Sequence, residues 1–142
     1  IIVLSALAIL IIPLGLFTGF IQWKPNFESI WKQIFIFIGI WFTIALPEEL
    51  IMRAVFQHQF LQLSKTYFQK HQKQLFIVIL IISSFVFGLS HWNNISADYM
   101  WYYIAFATIA GIGYGICYHY QGLFSAMLVH TLVDWLWQIL FV

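Results

Sequence analysis

The chain has 142 residues, of which 63% are hydrophobic and only 8% are charged. Because a soluble domain is about half apolar and about a quarter charged, this composition favours a membrane protein. The net charge of +1 and the scattered basic residues provide no basic surface, so nucleic-acid partners are excluded. A single cysteine, Cys117, excludes an internal disulfide and a CxxC motif, and its apolar surroundings predict a small buried packing residue.

Five apolar segments predict membrane-spanning helices: residues 1–21, 33–63, 75–92, 99–118 and 123–142. Between the first two, Trp23 and Trp31 are placed like interfacial anchors in a polar connection at residues 22–32. Pro47 predicts a break or kink in the second segment, which ends at the polar residues 64–74. Since backbone groups in lipid must be hydrogen-bonded within helices or closed barrels, the predicted fold is an all-α polytopic transmembrane bundle.

The lysines indicate an orientation for this bundle. Three of them lie in the connection at residues 64–74, against Lys24 and Lys32 on the other side, which favours a cytoplasmic position for residues 64–74. The chain begins with Ile1 and lacks the features of a signal peptide, so we expect the truncated core of a longer polytopic protein.

Two of the five acidic residues, Glu48 and Glu49, are adjacent within the second apolar segment. Glu49 lies about 24 Å of helix from Lys65, near the middle of a bilayer, where ionisable groups are costly and by default functional. Arg53 follows Glu49 by four residues, so the two can pair on one helix face. Glu48 has no such cation and is the predicted general base. The alternative is a satisfied ion cluster that only fixes helix register.

Two histidines lie in other apolar segments. His91 is about 24 Å of helix from Gln74, at a depth similar to that of the glutamates, and Phe87 can pack on its ring one turn earlier. His130 and Asp134 lie four residues apart, so Asp134 could orient or charge His130, or face a ligand itself. A hydrogen-bonded core histidine is the commoner outcome for either one, but two histidines and three carboxylates on three segments indicate a shared cavity.

The depth of His130 needs an additional assumption. His130 is only about 10 Å of helix from Leu123, so this count leaves it about two turns from the level of Glu48. Helix tilt, or a helix that starts before Leu123, must close the gap. His119 is the rival histidine, but its place at a tyrosine-rich turn favours a loop histidine.

Three alternating glycines, Gly111, Gly113 and Gly115, lie in the fourth segment. They lack the preceding strand and the phosphate-binding context of a nucleotide fingerprint. Glycines four residues apart in a membrane helix more often permit close contact between helices, which is the role we expect here.

These residues resemble the CPBP intramembrane proteases, also called Abi proteins, which group CAAX prenyl endopeptidases with bacteriocin-processing enzymes. Three family motifs resemble segments of the chain in order: Glu-Glu-x-x-x-Arg resembles Glu48-Glu49-x-x-x-Arg53, Phe-x-x-x-His resembles Phe87-x-x-x-His91, and His-x-x-x-Asn or Asp resembles His130-x-x-x-Asp134. The resemblance covers about residues 41–138. It implies a leading span and connection at residues 1–40 and a CPBP-like protease core at residues 41–142.

The resemblance implies hydrolysis of a peptide bond within the membrane. Glu48 would activate a water molecule with help from His91 and His130, and Glu49 with Arg53 would form a supporting pair. The Asn of the last family motif supports the oxyanion in the family. An ionised carboxylate at that position would repel an oxyanion, so Asp134 would have to be protonated or have an orienting role.

Metal dependence stays open at this stage. Glu48, His91 and His130 could hold a divalent metal such as Zn with an open position, although the chain lacks an HExxH motif. Both a glutamic and a metallo-endopeptidase fit these residues, and the metal-free mechanism is the preferred hypothesis.

The expected substrates are peptides or membrane proteins, processed during maturation of a peptide, bacteriocin or pheromone or in export-linked processing. A composition rich in Ile, Lys, Gln and Phe is typical of a low-GC bacterium, so we expect a multi-pass protein of a bacterial cell membrane, with a membrane sensor or transporter as a partner. Two alternatives use the same cavity without cleavage: an immunity or sensor-partner protein that binds a peptide, and a carrier of protons or ions.

Overall fold

The computed structural model describes residues 1–92, 94 and 97–141, and its described residues form five long helices. In chain order these are α1 (Ile2–Phe17), α2 (Ile30–Tyr67), α3 (Gln72–Leu89), α4 (Met100–Gln121) and α5 (Leu123–Leu140). A short 3-10 turn at Gln69–His71 connects α2 to α3. Among the described residues there is no strand, only an isolated bridge between Lys24 and Phe141. The predicted all-α bundle is confirmed.

Four helices, α2 to α5, are long and apolar enough to cross a membrane, whereas α1 is apolar but has only 16 residues. The 38 residues of α2 extend over about 57 Å, which exceeds the hydrocarbon core of a bilayer, about 30 Å thick. The polar end of α2, His58–Tyr67, therefore extends towards the aqueous side.

The first helix is shorter than the predicted segment 1–21. It ends at Phe17, and Gly19 then adopts a φ of 70°, a left-handed conformation that glycine tolerates best. The chain turns back there, because the Ile21 backbone N–H donates to the Gly15 carbonyl at 3.1 Å and the Ile21 side chain is buried against Gly15.

Polar side chains are buried in this bundle, and large apolar side chains face outward. On α3, Ile81, Ile82 and Phe85 are each about half exposed. The buried polar residues on α2, α3 and α5 include Glu49, Arg53, Gln57, Ser83, Ser84, His130 and Thr131. This arrangement is the reverse of a water-soluble protein and is what a lipid solvent permits.

The expected interruption at Pro47 takes the form of π-helical turns within a continuous helix. A short α-helical stretch, Leu46–Glu49, lies between π-helical turns at Trp41–Ala45 and Leu50–Gln57. Proline has no N–H to donate and its ring crowds the carbonyl four residues earlier, so a wider turn accommodates it without ending the helix. This irregular stretch carries Glu48, Glu49 and Arg53.

The fourth helix occupies the centre and packs most extensively against α3 and α5. Its glycines lie at close approaches, as predicted. A Cβ atom on Gly111 would lie 3.0 Å from Phe87 Cδ1, and one on Gly115 would lie 2.7 Å from Gln57 Oε1. Cys117 is buried in the core beside them, which confirms its predicted packing role.

Candidate active site

Three buried side chains from α2 and α5 form a hydrogen-bonded chain. Arg53 Nε donates to Glu49 Oε2 at 3.0 Å, and His130 Nδ1 lies 2.9 Å from Glu49 Oε1. The side chains of Glu49 and Arg53 are 0% exposed, and that of His130 is 3% exposed. Because an ionised carboxylate only accepts hydrogen bonds, Nδ1 of His130 carries the donated hydrogen and Nε2 is left to face the cavity.

Glu48 lies one residue earlier on α2 and faces that cavity instead. Its Oε2 is 3.8 Å from Nε2 of His130 and 4.0 Å from Nε2 of His91. That oxygen has no hydrogen-bond partner among the residues the structure describes. The three atoms are too far apart for direct hydrogen bonds, and a bridging water molecule fits such separations.

The backbone at the end of α3 orients His91. The helix ends at Leu89, and His91 Nδ1 lies 2.8 Å from the carbonyl oxygen of Phe87. Since a carbonyl accepts, this contact assigns the hydrogen to Nδ1 and directs Nε2 towards Glu48. The predicted packing of Phe87 on His91 is confirmed, with an edge contact at 4.8 Å between ring centroids.

In the structure His130 lies level with Glu48, so the difference in depth that the helix count predicted between them is removed. The first turn of α5 already packs against α2, where the Phe124 and Trp41 rings are 5.1 Å apart. Leu123 therefore does not mark the edge of the bilayer, and the depth of His130 cannot be counted from it. Asp134, one turn after His130, places Oδ2 3.4 Å from His130 Nε2.

These groups line one cavity of about 440 Å³. Glu48, His91, His130 and Asp134 all contribute to its wall, and much of the rest is aromatic or apolar. Tyr114 of α4 stacks on His130 with 4.5 Å between ring centroids and 14° between planes. The cavity thus combines two imidazoles and two carboxylates with walls suited to an apolar chain.

The family described as type II CAAX prenyl endopeptidase Rce1-like matches residues 29–136, more than half of the chain. The chain belongs to this family. The CPBP resemblance inferred from the three motifs is thereby confirmed. Comparisons with curated proteins and with solved structures gave no match.

Membership of the Rce1-like family supports a CAAX-type intramembrane protease, and with the apolar helices it supports a multi-pass membrane protein. The matched residues include all three motifs and both glutamates. The match begins at residue 29, within the predicted leading region 1–40. The division at residue 40 and the roles of the individual site residues stay predictions.

The metal site predicted at Glu48, His91 and His130 stays a prediction. In the part of the chain that the structure describes, no three His, Cys, Asp or Glu side chains are placed to hold a metal ion. Nδ1 of His130 contacts Glu49 and Nδ1 of His91 contacts a backbone carbonyl, so Nε2 of each ring, which faces Glu48, is the nitrogen that could bind a metal.

Two further residues support this candidate site and were not predicted from the sequence. Gln57 is fully buried, and its Nε2 donates to the Gly115 carbonyl at 3.1 Å, which ties α2 to α4. It lies four residues after Arg53, so extending the spacing of Glu49 and Arg53 by one turn would have found it. No sequence pattern singles out Tyr114, whose stacking on His130 depends on how α4 meets α5.

The rival histidine lies away from this cavity. His119 is in the last turn of α4, where its ring packs against Phe76 at 4.0 Å between centroids. The preference for His130 over His119 as the partner of Glu48 agrees with this placement.

Proposed function

We propose that the chain is an intramembrane endopeptidase in which Glu48 activates the attacking water, assisted by His91 and His130. One observation carries the proposal: Glu48 Oε2 and the Nε2 atoms of both histidines converge at 3.8 and 4.0 Å on the cavity wall. A carboxylate oxygen at that point, with no hydrogen-bond partner among the described residues, could accept a proton from a water held between the three groups.

In the proposed reaction the water oxygen attacks the carbonyl carbon of the peptide while Glu48 takes the proton. The tetrahedral intermediate carries an oxyanion, which needs a hydrogen-bond donor. The C–N bond then breaks, and the proton held by Glu48 passes to the leaving amine.

The contacts of His130 support its assignment as that donor. Glu49 fixes the ring through Nδ1, so a protonated Nε2 can donate to the oxyanion. Asp134 Oδ2 lies 3.4 Å from Nε2 and would balance the charge of the imidazolium. In this arrangement the imidazolium charge offsets the repulsion between an ionised Asp134 and the oxyanion.

The cavity supports a peptide substrate that is uncharged near the cleaved bond. Among the described residues that line it, none is Lys or Arg, and the two carboxylates in its wall, Glu48 and Asp134, disfavour a free C-terminal carboxylate near the cleaved bond. We therefore place the cleaved bond inside a peptide precursor, in the maturation of a bacteriocin or pheromone or in export-linked processing.

Replacement of Glu48 by Gln tests the proposal. Cells that express wild-type protein or Glu48→Gln at matched levels are compared by mass spectrometry of the peptides they release. Loss of a proton acceptor at the reacting water predicts a fall of about 100-fold or more in processed peptide. Glu28→Gln is the matched control, because Glu28 is exposed and pairs with Lys32 outside the cavity. Unchanged release from Glu48→Gln would refute cleavage and favour a peptide-binding immunity protein.

Chelation tests the metal-free mechanism separately. Purified protein treated with a zinc chelator is expected to keep its activity within about twofold, since a water held by Glu48 and the histidines needs no Lewis acid. Loss of activity that added Zn²⁺ restores would favour the metallo-endopeptidase instead.

A further inference from the structure

A second cleft, of about 1010 Å³, opens where α2, α3 and the turn between α4 and α5 meet. Its rim carries Lys65 and Lys73 together with the polar side chains of His58, Gln62 and His119. It shares no lining residue with the cavity that holds Glu48. The cleft is thus a separate feature at one end of the bundle.

The charge at this end is of one sign. The sequence contains no acidic residue between Glu49 and Asp98, so Lys65 and Lys73 have no carboxylate nearby along the chain. At the other end of the bundle Lys32 is neutralised by a carboxylate at 2.7 Å. Among the described residues neither Lys65 nor Lys73 forms an ion pair, so the cleft presents positive charge that attracts an anionic ligand.

Hydrogen bonds fix the walls of this cleft. Gln72 Nε2 donates to the carbonyl oxygens of Ser64 at 3.1 Å and Phe68 at 2.7 Å, so the end of α2 is tied to the start of α3. On the other wall the Tyr118 hydroxyl lies 3.4 Å from Nδ1 of His58. Lys65 on α2 and Lys73 on α3 therefore lie on helices whose relative position is fixed by hydrogen bonds.

The lining of the cleft also includes apolar side chains, and on α3 an exposed apolar surface continues from it along the outside of the bundle. Leu61, Ile77 and Leu123 line the cleft, and Ile77 is 54% exposed. Ile81 follows one turn along α3 and is also half exposed. An anion with an attached hydrocarbon chain matches this surface better than a free anion does, because the chain would cover apolar side chains.

We propose that this cleft binds an anionic phospholipid, with the phosphate between Lys65 and Lys73 and an acyl chain along Ile77 and Ile81. Lysine ammonium groups bind phosphate as point charges. Basic pockets between membrane helices on the cytoplasmic side bind anionic headgroups, and the lysine count favours that side for this end of the bundle.

Native mass spectrometry of the full chain tests the proposal, with phosphatidylglycerol as the anionic probe and phosphatidylcholine as the zwitterionic one. The wild-type protein is expected to retain phosphatidylglycerol preferentially. Lys65→Gln with Lys73→Gln should weaken retention by roughly 30-fold, the product of two lysine contributions near a membrane surface. Lys24→Gln with Lys32→Gln removes the same charge at the other end and should leave retention unchanged.

Two further arms separate the competing explanations. Lys70 lies in the turn between α2 and α3 and is not among the described residues that line the cleft. Lys70→Gln should therefore have less effect than Lys73→Gln alone. Inorganic phosphate should not displace the lipid. Displacement by phosphate, equal retention of both lipids, or equal effects of all the lysine variants would each overturn the proposal. Thermal unfolding identifies a double variant that fails to fold, and Lys73→Gln alone then carries the comparison.

Discussion

Replacement of Glu49 by Gln should destabilise the protein far more than the same change at Glu48. The glutamine side chain would retain the shape and one acceptor of Glu49 but lose its charge. Arg53, which is fully buried, would then be a cation without a counter-charge. Its Nη1 and Nη2 atoms already lack hydrogen-bond partners among the described residues. Removing one partner of a buried ion pair costs about 3–5 kcal/mol.

Thermal unfolding in detergent measures this difference. At roughly 3 °C per kcal/mol for a chain of this size, Glu49→Gln should lower the melting temperature by about 10–15 °C. Glu48→Gln should stay within about 0.5 kcal/mol of wild type, because the Glu48 side chain is 35% exposed and pairs with no Lys or Arg among the described residues. The two neutral substitutions are one residue apart, so each serves as the control for the other.

A double-mutant cycle with Arg53→Gln separates the ion pair from other effects of Glu49. If the pair accounts for the loss, Glu49→Gln with Arg53→Gln should recover at least about 1 kcal/mol relative to the sum of the single variants. A melting temperature of Glu49→Gln equal to that of wild type, or single effects that simply add, would refute the division between a supporting Glu49 and a reacting Glu48.

Two further substitutions test the site and its support. Asp134→Asn should keep peptide release within about tenfold of wild type, because an amide can still contact His130 Nε2 3.4 Å away, whereas Asp134→Ala should lose more; equal losses would contradict an orienting role. Gly115→Ala should destabilise the fold by about 1–3 kcal/mol in thermal unfolding, since its Cβ would lie 2.7 Å from Gln57 Oε1. Gly39→Ala, whose Cβ would meet nothing within 4 Å, is the control and should not destabilise.

Contacts within one helix could be predicted from spacing alone. Glu49 pairs with Arg53 and Phe87 packs on His91, in both cases because residues four apart share a helix face. The hydrogen bond between His130 Nδ1 and Glu49 joins residues that lie 81 positions apart on two different helices, and helical periodicity carries no information on such a pairing. The effect of Pro47 on α2 could not be predicted from the sequence either. It depends on whether a π-helical turn makes room for the proline ring beside the carbonyl four residues earlier.

The contact between His130 and Glu49 gives a second reason for the difference between the two glutamates. From the sequence, Arg53 alone distinguished them, because only Glu49 has a cation four residues away. In the structure both oxygens of Glu49 are engaged, one by Arg53 and one by His130. These two contacts leave neither oxygen of Glu49 free to hold a water molecule in the cavity. Glu48 has an oxygen beside both Nε2 atoms that has no hydrogen-bond partner among the described residues, which supports the proposal that Glu48 is the acid that accepts a proton from water.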